Sequence, residues 1–289
     1  MDMVSSLRSP ETTLSFEFFP PKDDSASEGL LQTVHELAAF NPSYVSVTYG
    51  AGGTTRERTR SVVQRIMKET SILTIPHLTC IGHTFDEMTE ILDLYADDSV
   101  ETILALRGDP PRDKPDYDRS DDNFKYAADL VRFIKAHPHP FKIGVAGFPE
   151  GHPTTQNRLQ EMDFFKAKID EGADYICTQL FFDNHDFFDY RERCDLVGID
   201  LPIVAGIMPI TTLSSMKRMA ELAAGSNFPA ALLRALGTSK DDPEAIRQAG
   251  IDYATAQCQG LIEGGVSGLH LYTLNKSGAT TEIASAIQL

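Results

Sequence analysis

Eight apolar, β-rich runs recur along the chain, each followed by a stretch with helical spacing. This alternation constrains the fold more than any other feature of the sequence. The runs predict strands at about 14–19, 44–48, 72–79, 101–106, 141–147, 174–181, 202–207 and 267–273. The segments between them predict helices, among them 28–40, 57–69, 84–97, 121–136 and 157–171. Eight strands alternating with helices over 289 residues fit an α/β fold of the (β/α)8 TIM barrel type better than an open sheet. One connection is too long for a single crossover. Residues 211–264 should hold two or three helices, divided at Phe228-Pro229 and Asp242-Pro243. No linker or low-complexity tract interrupts the pattern, so residues 1–289 read as a single domain with extra helices at about 211–264.

In such a barrel, chemistry collects at the carboxyl ends of the strands. This chain places polar residues there repeatedly: Glu17, Thr48-Tyr49-Gly50, His77, Arg107-Gly108-Asp109, Phe148-Pro149-Glu150, Gln179 and Asn275-Lys276. Glu17 is the most informative of them. It sits in Leu14-Ser15-Phe16-Glu17-Phe18-Phe19-Pro20-Pro21, where strand alternation puts Ser15, Glu17 and Phe19 on one face and Leu14, Phe16 and Phe18 on the other. Desolvation favours the protonated form of a buried carboxyl, which suits a general acid. The plainer alternative is an edge strand with Glu17 in solvent. At the end of the fourth strand, Gly108 permits close backbone approach to a ligand, Arg107 can neutralise phosphate, and Asp109 can stabilise a developing cation.

Twenty-six basic against 42 acidic residues leave a formal charge of −16, which excludes a broad nucleic-acid or anionic-membrane surface. An anionic ligand must therefore be met by local cations and backbone donors. No apolar run approaches a membrane span and no secretory signal pattern opens the chain, so a cytoplasmic location is expected. Cys80, Cys177, Cys194 and Cys258 form no CxxC pair and read as reduced thiols. His77, Cys80 and His83 have metal-like spacing, but alternation sends 77 and 80 to opposite sides, and no metal site is read. Cys80 reads as a packed thiol, His137-Pro138-His139-Pro140 as a solvated loop, and Asp113 to Asp122 as a charged mobile loop.

Taken together, the motifs resemble the methylenetetrahydrofolate reductases. Ser15 to Pro21, Val47 to Gly53, Pro76-His77-Leu78-Thr79-Cys80, Leu106 to Pro111, Phe148 to Pro153, Thr178 to Phe182 and Tyr272 to Asn275 match that family's motifs in order and span nearly the whole chain. The resemblance implies a barrel that binds FAD noncovalently at its carboxyl face. Reduced nicotinamide would give hydride to the flavin, which would pass it to the methylene carbon of 5,10-methylenetetrahydrofolate in a ping-pong sequence. That places the chain in one-carbon metabolism and methionine biosynthesis. Glu17 matches the general acid that protonates folate N10, and Asp109 matches the carboxylate that stabilises the resulting cation. Gln179 matches an amide that contacts folate and nicotinamide in turn, with Leu213 and Lys276 at further substrate positions. For FAD the matched positions are Thr48, Tyr49, His77, Arg107, Gly108, Asp109, Tyr126, Ala127, Phe148, His152, Glu161, Phe164 and Lys168.

Four of these depart from the commonest family pattern. Phe148 stands for Tyr, Phe164 for Asn or His, Leu213 for an aromatic and Lys276 for Arg. Phe164 either packs on the adenine end of FAD or widens an apolar stripe of Leu159, Met162, Phe165 and Ile169. The departures keep open a flavin-independent folate reductase with direct hydride transfer, and a catalytically silent folate-binding subunit is a further alternative. Gly50-Ala51-Gly52-Gly53 is not a Rossmann fingerprint, because Thr55 stands where the last glycine is needed. NADH is favoured over NADPH, since no basic cluster for a 2′-phosphate is found. A homo-oligomer is expected, with 211–264 a candidate surface. The chain ends at Leu289, after the last barrel helix, so the resemblance implies no regulatory domain and no inhibition by S-adenosylmethionine.

Overall fold

The computed structural model describes residues 2–49, 56–110, 116–222, 226–238, 242–287 and 289. Gly50 to Gly53, Pro111 and Asp113, parts of the motifs above, lie outside them. Eight parallel strands close into a barrel in chain order: β1 Thr13–Phe18, β2 Tyr44–Val47, β3 Thr74–Thr79, β4 Thr102–Leu106, β5 Lys142–Gly147, β6 Tyr175–Thr178, β7 Ile203–Ile207 and β8 Gly268–Tyr272. The registry between first and last strand, with Glu17 opposite Tyr272, closes the ring. Closure leaves no edge, so the edge-strand alternative for Glu17 is excluded.

Helices α1 (Met3–Leu7), α2 (Asp24–Ala38), α3 (Arg56–Thr70), α4 (Phe85–Asp97), α5 (Ala127–Lys135), α6 (Arg158–Asp170) and α7 (Asn184–Leu196) punctuate the first seven strands. Among the described residues the long connection holds three, α8 (Leu213–Leu222), α9 (Ala230–Thr238) and α10 (Pro243–Glu263), and α11 (Gly278–Ile287) follows β8. Side-chain caps set several starts. Asp23 accepts from the Ala26 amide, so α2 begins four residues before the predicted position. Thr84 and Glu87 form a reciprocal capping box on α4, and Asp242 before Pro243 caps α10.

Two expectations need correction. The helix predicted from 121 begins only at Ala127, because Asp129 accepts from the Lys125 and Tyr126 amides and fixes the start there. Upstream, Asp122 is held by Tyr117 at 2.5 Å and Arg119 at 3.1 Å, so residues 116–126 form a hydrogen-bonded turn rather than a free loop. The 137–140 segment is not simply solvated either. His137 donates to Asp93 at 3.1 Å, His139 donates to the Val100 carbonyl, and both rings lie against Phe141.

Alternation along the strands divides the interior. Leu14, Phe16, Phe18, Val45, Val47, Ile103, Ala105, Ile143, Val145, Ile176, Leu269 and Leu271 face the helices in one continuous apolar layer. The opposite residues fill the bore. Its amino-terminal end is apolar, where Met3 and Leu7 of α1 pack with Tyr44, Ile75, Leu104, Tyr175 and Val204. Toward the carboxyl end it becomes polar, with Ser15, Glu17, Ser46, His77 and His270 all buried. Large rings need small neighbours here: a Cβ on Gly144 would lie 2.3 Å from the Tyr175 ring. A second apolar cluster, including Leu180, Phe182, Met208, Ile210, Leu232, Leu236 and Ile246, lies beneath α8 to α10.

Candidate active site

Glu17 leaves β1 pointing into the bore and is 8% exposed. Burying a lone carboxylate costs several kcal/mol, so its surroundings must answer it. Two imidazoles do so: His77 Nε2 lies 3.5 Å and His270 Nε2 3.7 Å from Glu17 Oε2. The two rings are joined through Ser46, whose Oγ is 3.3 Å from His77 Nε2 and 3.1 Å from His270 Nε2. Ser15 Oγ closes the other side of His270, 2.8 Å from Nδ1. Burial pushes the His77 imidazolium down to about 4, offset in part by Glu17 and reinforced by His270.

The rim above Glu17 is tied to β8. The Thr273 hydroxyl donates to the Glu17 carbonyl at 2.6 Å, while the Asn275 amide pairs with both the N–H and the carbonyl of Phe19. Asn275 and Leu274 accept left-handed backbone (φ 60° and 51°) to make this turn. Lys276 follows, exposed at the rim. Gln179, just past β6, is half-buried, and its side-chain oxygen accepts from the Leu180 amide. Leu213 opens α8 and packs on the second cluster.

A second group assembles at the ends of β4 and β5. Gly108 has φ +83°, and a Cβ there would lie 2.7 Å from Ile81 and 2.8 Å from Thr79, so only glycine makes this turn without strain. The turn leaves Arg107 half-buried and Asp109 95% exposed, their charges 3.9 Å apart. Across from it, Lys168 on α6 donates to the Ala146 carbonyl at 2.6 Å and lies 4.8 Å above the Phe165 ring. Burial lowers its pKa to about 8, partly offset by Glu161. Glu161 is itself buried and accepts from the His152 amide and from Arg158. The His152 ring meets Phe148 edge-on at 4.8 Å. Burial lowers its pKa, and Arg107 and Lys168 add to the shift, so the cations of β4 and α6 share one electrostatic neighbourhood.

Aromatic side chains stand open around this group. Tyr126, ahead of α5, is 68% exposed beside half-buried Ala127, and Phe164 is 59% exposed. The apolar-stripe alternative is therefore corrected: Met162, Phe165 and Ile169 are buried, but Leu159 and Phe164 face outward. Thr48 and Tyr49 lie past β2, where the Tyr49 hydroxyl pairs with His83 at 3.1 Å. Cys80 points away from the bore into the helix-facing layer, and burial pushes its thiol up to about 11, unsuited to a nucleophile.

Sequence reasoning missed His270 and Ser46. Both were within reach of the alternation argument. Gly268, His270 and Tyr272 alternate with Leu269 and Leu271 in the run read as the eighth strand, which sends the imidazole inward.

Comparison with known proteins bears on the fold and on the family. A solved structure of an uncharacterized protein from Clostridium thermocellum that binds two copies of 5-methyl-5,6,7,8-tetrahydrofolic acid superposes over 99% of the chain and 98% of its own, with TM-score 0.64 at 14% identity. A dihydropteroate synthase from Xanthomonas albilineans has TM-score 0.52 at 14% identity, covering 97% of this chain and 93% of its own. At such identities these likenesses show the fold alone. The sequence itself matches the family model described as methylenetetrahydrofolate reductase over residues 2–288. The 5,10-methylenetetrahydrofolate reductase of Escherichia coli is 35% identical over 269 residues, covering 92% of this chain and 88% of its own. Methylenetetrahydrofolate reductase (NADH) 1 of Arabidopsis thaliana is 36% identical over 275 residues, or 92% of this chain. The chain spans about half the length of that plant relative and others like it, 46% in each case. The chain belongs to the methylenetetrahydrofolate reductase family.

Proposed function

We propose that the protein reduces 5,10-methylenetetrahydrofolate to 5-methyltetrahydrofolate at the expense of a reduced nicotinamide nucleotide, NADH in preference to NADPH, with noncovalently bound FAD as carrier. The observation that carries the reading is a buried carboxyl, Glu17, aimed into a polar bore at the active face of a barrel of this family.

The residues fit FAD. Two cations, Arg107 and Lys168, gather in a chain of net charge −16, beside a glycine turn that brings backbone close and open faces of Tyr126 and Phe164. Arg107 and Lys168 would hold the diphosphate, with Gly108, His152 and Glu161 shaping that end. Thr48, Tyr49, His77, Ala127 and Phe148 would line the flavin, and Phe164 and Tyr126 the adenine. Bound there, FAD would supply the hydride-transfer chemistry between the reduced nicotinamide and the folate methylene carbon.

The chain's own residues do the rest. Glu17 gives its proton to folate N10 as the five-membered ring opens. Asp109, exposed where it can approach the substrate and 3.9 Å from Arg107, stabilises the positive charge left on the folate. Gln179 orients the pterin, and Leu213 and Lys276 bound the same cavity. The enzyme is read as cytoplasmic and homo-oligomeric, with residues 1–289 a single catalytic domain; among the described residues, no helix is long and apolar enough to cross a membrane.

The test is the absorption spectrum of the purified protein under anaerobic conditions. A flavin band that bleaches with NADH and returns on adding methylenetetrahydrofolate is expected. A colourless protein that still reduces the folate would transfer hydride directly, and the cofactor assignment would fall.

A further inference from the structure

The segment after β6, which carries Gln179, is held in place by the long connection. The carbonyls of Leu180, Phe181 and Phe182 each accept in succession from a side chain of that connection: Ser226 Oγ at 3.3 Å, Gln257 Nε2 at 2.9 Å and the Tyr253 hydroxyl at 2.8 Å. Gln179 itself is pinned twice. Its backbone N–H donates to the Gly147 carbonyl at 2.8 Å, and its side-chain oxygen accepts from the Leu180 N–H at 2.8 Å. The residue that orients the Gln179 amide is thus the one that Ser226 holds.

Gln257 and Tyr253 belong to α10, whereas Ser226 lies between α8 and α9 and needs anchors of its own. Two stand next to it. The Asn227 N–H donates to Glu150 Oε1 at 2.5 Å, and the Phe228 ring stacks on Phe182 with centroids 4.9 Å apart. Glu150 is half-buried in the loop after β5, a loop that Arg193 of α7 fixes by donating to the Pro149 carbonyl at 2.8 Å. Burial and the charge of Asp186 push the Glu150 carboxyl up, while its contacts with Asn227 and Ser226 pull it down, so these donors answer the burial. A hydrogen-bonded line therefore runs from Glu150 through Asn227 and Ser226 to Leu180 and Gln179.

We propose that Glu150 is a positioning residue for Gln179, acting through Asn227, Ser226 and the Leu180 backbone. The carboxylate holds the connection, Ser226 holds Leu180, and the Leu180 N–H fixes the rotation of the Gln179 amide. Of this line, Gln179 alone meets substrate. Losing a link loosens the grip on folate and on nicotinamide alike, while the chemical step keeps its rate once substrate is bound. The proposal rests on the reading of Gln179 as the amide that contacts both substrates.

Amide hydrogen exchange and steady-state kinetics on the purified enzyme test it. In Glu150→Ala the Asn227 amide should exchange at least about fivefold faster, because its acceptor is gone. The KM for methylenetetrahydrofolate and the KM for NADH should each rise at least about threefold, the worth of one hydrogen bond, with kcat little changed. Glu150→Gln keeps an acceptor oxygen and should restore both readouts. Ser226→Ala breaks the line without touching the loop after β5 and should raise the same two constants. Unchanged constants in Glu150→Ala and Ser226→Ala, beside raised constants in Gln179→Ala, overturn the proposal while leaving Gln179 as a substrate contact. A Glu150→Gln variant as impaired as Glu150→Ala overturns it as well. Unchanged constants in Gln179→Ala overturn the reading of Gln179 and the proposal with it.

Discussion

At the residue scale, the proposed function rests above all on two side chains, and each can be tested apart from the other. Glu17 lies at the folate end of the proposed cavity and Lys168 at the diphosphate end. Glu17→Gln keeps the volume and the contacts of β1 but has no proton to give. It should retain flavin and its reduction by NADH while losing folate reduction by at least about a hundredfold, as removal of a general acid does. Equal loss of both half-reactions in stopped-flow traces would show a structural role instead. For Lys168, the sign follows from its depressed pKa. The ammonium is present below about pH 8 and is lost as pH rises through that value, and with it the attraction for phosphate. FAD binding, followed by fluorescence between pH 7 and 9.5, should therefore weaken with rising pH. Lys168→Met should bind weakly and with a flatter dependence.

At the scale of elements, the caps and the close approaches are what set the frame. α10 is the longest helix described, and Gly250 in its middle lets it cross the chain following β7: a Cβ there would lie 1.7 Å from the Ile210 carbonyl oxygen. Backbone cannot yield as a side-chain tip does. Gly250→Ala should cost about 2–3 kcal/mol or more, the range of overpacking, despite alanine's better helix propensity. A lower thermal midpoint checks it, and an unchanged or raised midpoint would mean α10 stands off from that loop. Burial and capping also explain which elements were legible in the sequence. All eight strands were visible as apolar runs because both faces of each are buried. The start of α5 was not, since a side chain two residues inside it, Asp129, sets that boundary by accepting from amides upstream. His137 and His139 misled because two prolines and two polar rings look like a loop until Asp93 and Val100 arrive from elsewhere in the chain.

For the whole molecule, the polar bore is a stability liability under acid. His77 is depressed from 6.5 to about 4 in the folded protein, so below pH 6.5 the unfolded chain takes up a proton that the folded one refuses. This term is absent above 6.5, grows as pH falls, and levels off below about 4, at about 3 kcal/mol. Urea midpoints measured from pH 7 to 4 should fall more steeply for the native protein than for His77→Gln, which lacks the titration. Parallel curves would mean that His77 accepts its proton without cost.

The sequence by itself determined the barrel, because a period of alternation repeated eight times leaves few ways to bury so many apolar faces. It also determined the polar character of the strand ends, and the ordered motifs were enough to point to the family. Tertiary structure alone decided what surrounds Glu17. His77 and His270 lie 60 and 253 positions away along the chain, and only closure of β1 against β8 brings an imidazole from the last strand to the acid of the first. It also decided that Phe164 faces outward, since helical spacing gives a residue's angle about its axis but not where the neighbouring surface ends.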